Sequence, residues 1–145
     1  MSLPATSKHV LTILAVTDVA RASRFYQGAF GWPKAVEVPV YVEFSLPGGM
    51  RLGLYERRAF ARNTGCMPAP IGEGEIGPTE LYFHVDDVAA ASSCLLRAGA
   101  RVLSPMAARD WGDEAAYFAD LDGNVVVVAR PLPPAGTTEQ QSPGL

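Results

Sequence analysis

Two stretches of this chain repeat one another, and that repeat restricts the fold more than any other feature. Asp18 is followed by apolar residues one, four, seven, eight and eleven places on: Val19, Ala22, Phe25, Tyr26 and Ala29. Asp87 is followed at the same five offsets by Val88, Ala91, Cys94, Leu95 and Ala98. Each set forms one face of an amphipathic helix. Each aspartate can cap its helix by accepting from a first-turn backbone N–H. A glycine, Gly31 or Gly99, stands where each helix should stop. A run suited to a strand precedes each helix, HVLTILAV over 9–16 and ELYFHV over 80–85. A hairpin follows each: 41–46 and 50–55 about Gly48-Gly49 in the first half, 115–119 and 125–129 about Asp122-Gly123 in the second.

Such a half has one apolar sheet face that it cannot cover alone, whereas two halves together can. The expected organisation is a flexible N-terminus over 1–8, a first module over 9–58, a Gly/Pro-rich connector over 59–79, a second module over 80–130, and a disordered C-terminal tail over 131–145. Residues 9–130 then form one domain. The connector lacks periodicity and reads as a loop. With 145 residues, 48% of them hydrophobic, the chain can build a core without staples. Its net charge of -3 argues against a nucleic-acid footprint. No apolar run approaches a membrane span and no signal peptide opens the chain, so a cytoplasmic location with no membrane partner is expected. Cys66 and Cys94 are too few for a disulfide framework and are expected as reduced thiols.

Four motifs, in order along this repeat, resemble the vicinal oxygen chelate superfamily, which includes glyoxalase I, extradiol dioxygenases and bleomycin-resistance proteins. They are Val16-Thr17-Asp18-Val19 with Ser23, Phe25-Tyr26 and Phe30-Gly31; Val85-Asp86-Asp87-Val88; Trp111-Gly112, as in many small bacterial members; and Tyr117-Phe118-Ala119-Asp120-Leu121-Asp122-Gly123-Asn124. The resemblance spans roughly residues 9–130. It implies an α+β fold of two βαβββ modules related by a pseudo-twofold, with curved mixed sheets forming an open cup. It also implies a homodimer.

Metal-using members of that superfamily hold a divalent ion with four residues, two on the first strands and two on the last. The resemblance carries these positions to Leu11, Glu80, Gly53 and Val127, and only Glu80 can donate. A transition-metal site wants about three protein ligands and an open position. His84 lies about 13 Å from Glu80 along an extended strand, too far to share an ion. His9 could serve only after a register slip. No metal and no cofactor are therefore expected, and the chemistry that relatives perform on the ion loses its main electrostatic support.

Strand parity gives the inward face. It groups His9, Leu11, Ile13 and Ala15; Glu80, Tyr82 and His84; Arg51, Gly53 and Tyr55; and Val125, Val127 and Ala129. The candidate pocket residues are Glu80, Tyr82, Tyr55, Trp111, Arg51, His84, Leu11, Gly53 and Val127, with Tyr41, Glu43, Trp32 and Tyr117 nearby. Aromatic walls about one carboxylate suit an aromatic or cationic organic ligand by stacking and charge pairing. Gly53 would leave room for it against the sheet. Each aromatic has an alternative as core or rim packing. Glu80 is either a ligand anchor, the ion-pair partner of Arg51, or a solvent-exposed group. His84 has an alternative as a histidine satisfied near its strand end, and Arg57, Arg58 and Arg62 as a solvated edge.

Three functions are consistent with this pattern. The first is metal-free binding or sequestration of a small organic ligand, without catalysis. The second is a metal-dependent lyase, isomerase or dioxygenase that uses relocated ligands such as Glu80, His9 and Glu43. The third is a dimeric interaction module with no small-molecule site.

Overall fold

A computed structural model of the chain describes residues 2–3 and 5–134. Strand β1 (Leu11–Val16), helix α1 (Val19–Phe30) and strands β2 (Lys34–Val38), β3 (Tyr41–Ser45) and β4 (Arg51–Glu56) come first. Helix α2 (Arg57–Thr64) follows. Then come β5 (Glu80–His84), α3 (Val88–Ala98), β6 (Arg101–Ala108), β7 (Asp113–Ala119) and β8 (Val125–Pro131). Among the described residues no helix is long and apolar enough to cross a membrane.

The internal repeat is present down to backbone angles. Asp18 sits at φ -135°, ψ 104° and Asp87 at φ -134°, ψ 103°, and each carboxylate accepts the backbone N–H three residues on at 3.0 Å. Gly31 and Gly99 close the two helices in the left-handed region, at φ 68° and 111°, where a side chain would be strained. The strand orders are β1-β4-β3-β2 and β5-β8-β7-β6, so the two four-stranded sheets share one topology and neither closes. In each, the first strand pairs parallel with the last and the remaining pairs are antiparallel. The register matches as well: Leu11 lies opposite Arg51, and Glu80 opposite Val125. Both partners stand two places beyond a turn glycine, Gly49 or Gly123.

The chain divides into two compact units, one holding residues up to Gln27 and Gly31–Pro70, the other Gly28–Phe30 and Ile71 onward. In the first, one sheet face buries Leu14, Val16, Val42, Phe44, Leu52 and Leu54. Helix α1 lies on this face: Tyr26 stacks on Trp32 at 6.3 Å, and Trp32 meets Phe44 at 6.2 Å. Truncating Phe44, which has no solvent exposure, to alanine would cost about 3–5 kcal/mol by cavity formation. Alternation then puts Leu11, Ile13, Tyr41, Glu43, Arg51, Gly53 and Tyr55 on the other face.

In the second unit, α3 packs on β6, β7 and β8. Phe118, Val126 and Val128 are buried on one side of the sheet. On the other side Ala115, Val125, Val127 and Ala129 form a buried apolar cluster, against which Leu103 and Tyr117 pack. The β7–β8 turn is held by Asp120. Its carboxylate accepts from the backbone of Asp122 at 2.9 Å and of Asn124 at 2.8 Å, and from the Asn124 amide.

The structure adds three elements to the sequence expectation. The segment 59–79 is not wholly a loop, because α2 occupies its first residues. Glu56 caps α2 through the backbone N–H groups of Arg58 and Ala59, and Gly65 ends it at φ 78°. Only Ala59 of α2 is buried, which is why no apolar period marked it. Arg57, Arg58 and Arg62 therefore stand on a helix. Strands β2 and β6, the outer edges of their sheets, are mostly exposed and carry no alternating pattern. In β6 the pairing register also shifts twice, on either side of Ser104, with Pro105 beside it. Of the expected C-terminal tail, Pro131 belongs to β8, and residues 135–145 lie outside the described residues, as do positions 1 and 4 of the expected N-terminal extension.

Candidate functional site

On the first unit's open face, the candidate residues are already committed to one another. Glu43 of β3 is only 5% exposed although it carries a carboxylate. A buried charge is tolerated when paired and hydrogen-bonded, and both conditions are met. Tyr41 Oη donates to Glu43 Oε1 at 2.6 Å, and Arg51 donates to Glu43 Oε2 at 2.9 Å. Burial, followed by the neighbouring Glu43, pushes the Tyr41 phenol well above its ordinary pKa. Arg51 is thus the partner of Glu43, and the pairing with Glu80 considered from sequence is replaced by this one.

Gly53 does not leave room for a ligand. A side chain there would run into Tyr41, whose ring atom Cε1 lies 2.8 Å from an ideal Cβ at position 53. Tyr55 meets Tyr41 edge-on at 5.0 Å and Phe60 of α2 at 6.4 Å, and its hydroxyl accepts from Asn63 at 3.2 Å. Leu11 is half-buried at the start of β1. Near it, exposed His9 shares a 3.1 Å hydrogen bond with Thr12.

The second unit gathers three of the candidates, Tyr82, His84 and Trp111, about a residue that the sequence did not single out. Strand β5 presents Glu80, Tyr82 and His84 outward on one face. Tyr82 Oη donates to Asp113 Oδ2 at 2.5 Å and accepts from Trp111 Nε1 at 2.9 Å. His84 Nε2 lies 3.5 Å from the same Asp113 oxygen, and the His84 and Tyr82 rings meet edge-on at 6.0 Å. Asp113 therefore ties together β5 and the loop before β7. Its own side chain is 13% exposed, while His84 is 59% and Trp111 55% exposed. Burial, then the hydrogen bond to Asp113, raises the Tyr82 pKa, so its phenol is held neutral. Beside it, Tyr117 is raised first by burial and next by the charge of Glu80. No described residue hydrogen-bonds or ion-pairs with Glu80, which is exposed.

Charges of both signs act on this patch. Glu80 and Asp113 contribute two carboxylates. Arg109 lies 5.0 Å from the Tyr117 ring centre, where its charge opposes theirs, and it donates to Ser104 Oγ and to the carbonyls of Pro105 and Ala115. Val127 does not reach the patch surface, because it is fully buried in the apolar cluster. Asp113 could have been found only through register: it pairs with Pro131 at the end of the β7–β8 ladder, which brings it level with the end of β5.

The four positions that the resemblance assigns to a metal do not fit one. Leu11 and Val127 have no donor, Gly53 has no side chain and Tyr41 takes its space, and Glu80 stands alone. Among the described residues no group of three or more His, Cys, Asp or Glu side chains could hold an ion.

A family model described as "Glyoxalase-like domain" matches residues 9–133 of this chain. No curated protein matches it. Among solved structures, a glyoxalase-related enzyme from Fulvimarina pelagi aligns with a TM-score of 0.77 at 23% identity, over 86% of this chain and 88% of that one. A glyoxalase/bleomycin resistance protein/dioxygenase family enzyme from Burkholderia phytofirmans PsJN aligns at 0.73 and 19% identity, over 87% and 100%. Lactoylglutathione lyase from Agrobacterium tumefaciens aligns at 0.64 and 22% identity, over 88% and 95%. Likeness at these identities shows a shared fold alone.

Proposed function

The chain belongs to the glyoxalase-like domain family, and on that footing we propose that it is a metal-free binding protein. It sequesters a small cationic aromatic molecule at the exposed β5 edge of its second unit, where Tyr82, His84 and Trp111 stand. The observation that carries this reading is the chain of hydrogen bonds from Trp111 through Tyr82 to Asp113. It fixes two aromatic side chains in place beside Asp113, with Glu80 two residues from Tyr82 on the same face of β5, so that little side-chain entropy remains to be lost on binding. Aromatic faces attract cations, and Glu80, which pairs with no described arginine or lysine, supplies a carboxylate beside them. His84 completes the rim. The donor set at the four positions that the resemblance assigns to a metal supports binding without a metal ion, and no nucleophile or oxyanion-stabilising pair stands beside Glu80 and His84 among the described residues, which supports binding without chemistry.

The test is calorimetric titration of the full chain with N-methylquinolinium, its neutral counterpart 1-methylnaphthalene, and anionic 1-naphthoate. Saturable binding of the cation is expected, with quenching of Trp111 fluorescence, at least tenfold tighter than either counterpart. Trp111→Ala and Glu80→Gln should each weaken it at least fivefold. Equal affinity for 1-naphthoate, or no saturable binding at millimolar cation, would overturn the proposal. So would stoichiometric nickel, zinc, iron or manganese in the purified protein.

A further inference from the structure

We propose that the first unit carries a separate binding site for a short aliphatic carboxylate, in the cavity between α1 and strands β2 and β3. This inference is independent of the reading above, because it concerns the opposite sheet face from Glu43 and a different unit from Trp111. The cavity measures about 370 Å³, within the lower part of the range for small-molecule pockets. Val42 of β3 and Val19 of α1 form its apolar floor, and Val38 of β2, 48% exposed, stands at its mouth. Pro39 stiffens the turn beside it.

The polar residues select the ligand. Ser23 lines the cavity and is 4% exposed, and its hydroxyl is buried with no hydrogen-bond partner among the described residues. A helical serine ordinarily bonds back to the carbonyl four residues earlier, or points to water. Ser23 does neither, so an acceptor brought by a ligand would satisfy a hydroxyl that the fold leaves unsatisfied. The charges then decide between acceptors. Lys34 and Glu37 both line the cavity and neutralise each other across 2.7 Å. Arg24, also lining it, makes no ion pair with any described residue. The remaining charge is one guanidinium, which favours a carboxylate over a neutral carbonyl. The occupant is therefore an aliphatic chain against the valines, with its carboxylate between Ser23 Oγ and Arg24.

The test is a titration of the isotopically labelled full chain with hexanoate, followed by amide chemical shifts, with 1-hexanol and hexylammonium as controls. Saturable shifts at Ser23, Arg24, Lys34 and Val38 are expected, with hexanoate at least tenfold tighter than 1-hexanol and hexylammonium not binding. Ser23→Ala removes an unsatisfied hydroxyl, so it should fold at least as well as the parent and bind hexanoate at least fivefold more weakly. Arg24→Ala, at an exposed position, should lose at least as much. No saturable shift at these amides up to about 10 mM hexanoate overturns the proposal, as does an unchanged affinity in both variants or equal binding of 1-hexanol. In a Trp32→Phe background Trp111 is the sole tryptophan, and because it lies in the other unit its fluorescence reports separately on the cation site.

Discussion

The phenol of Tyr41 occupies the space beside the α-carbon of Gly53 on the neighbouring strand that any larger residue would need. Gly53 has an ordinary strand backbone, because it is not among the glycines at positive φ. Its cost to other residues is therefore steric. Gly53→Ala should destabilise the protein by about 1–3 kcal/mol through overpacking. In a Tyr41→Ala background the same substitution should cost almost nothing. A urea-denaturation double-mutant cycle reads the difference, and additive costs would show that the ring is not what excludes the side chain.

The Arg51–Glu43 pair makes a second prediction. Arg51→Met leaves a nearly buried carboxylate with only the Tyr41 hydroxyl, and should cost about 1.5–3 kcal/mol for a charged hydrogen bond lost. The half-exposed guanidinium places the cost at the low end of that range. Replacing both partners, Arg51→Met with Glu43→Leu, should recover most of the loss, since an apolar pair leaves no orphan charge. Thermal melts of the three variants compare them.

Alkaline pH gives the third. Tyr41 and Tyr82 both have pKa values raised from the ordinary 10.0, chiefly by burial and by a carboxylate accepting from the hydroxyl. Above pH 10 the unfolded chain releases protons that the folded chain retains, so stability present below that pH is lost as it rises. Urea midpoints measured from about pH 8 to 11 should fall on the alkaline side. The fall should be shallower in Tyr41→Phe, and an unchanged slope would count against the assignment.

Asp120 supplies the fourth. It accepts two backbone N–H groups, those of Asp122 and Asn124, and a side-chain amide within the β7–β8 turn. Asp120→Ala should therefore cost about 1–3 kcal/mol by orphaning those donors. Asp120→Asn, which keeps one acceptor oxygen, should recover part of that cost. Chemical denaturation of the two variants tests the ranking.

What the sequence disclosed follows from range. The caps at Asp18 and Asp87, the stops at Gly31 and Gly99 and the turn at Gly123 are set by neighbours a few residues away, so composition and spacing reveal them. The same locality exposed the duplication and, through it, the empty donor positions at Leu11, Gly53 and Val127. Helix α2 escaped because a single buried alanine makes no period, and β2 and β6 escaped because an exposed edge strand has no contrast between its faces. The site was only half legible. Tyr82, His84 and Trp111 stand out as residue types, but Asp113, which joins them, belongs to no pattern along the chain that would single it out. That Gly53 serves Tyr41, and that Arg51 serves Glu43, depends on the β3–β4 register, which no local pattern encodes.

Strand β6 has an unpaired outer edge eight residues long, with Val102 and Met106 exposed along it. A straight strand of that kind invites another chain to add to the sheet. The two register shifts and Pro105 break its run of donors. The irregularity should thus act as a safeguard when the protein is concentrated: straightening β6, for example by Pro105→Val, should turn a well-behaved solution into one that forms fibres on standing.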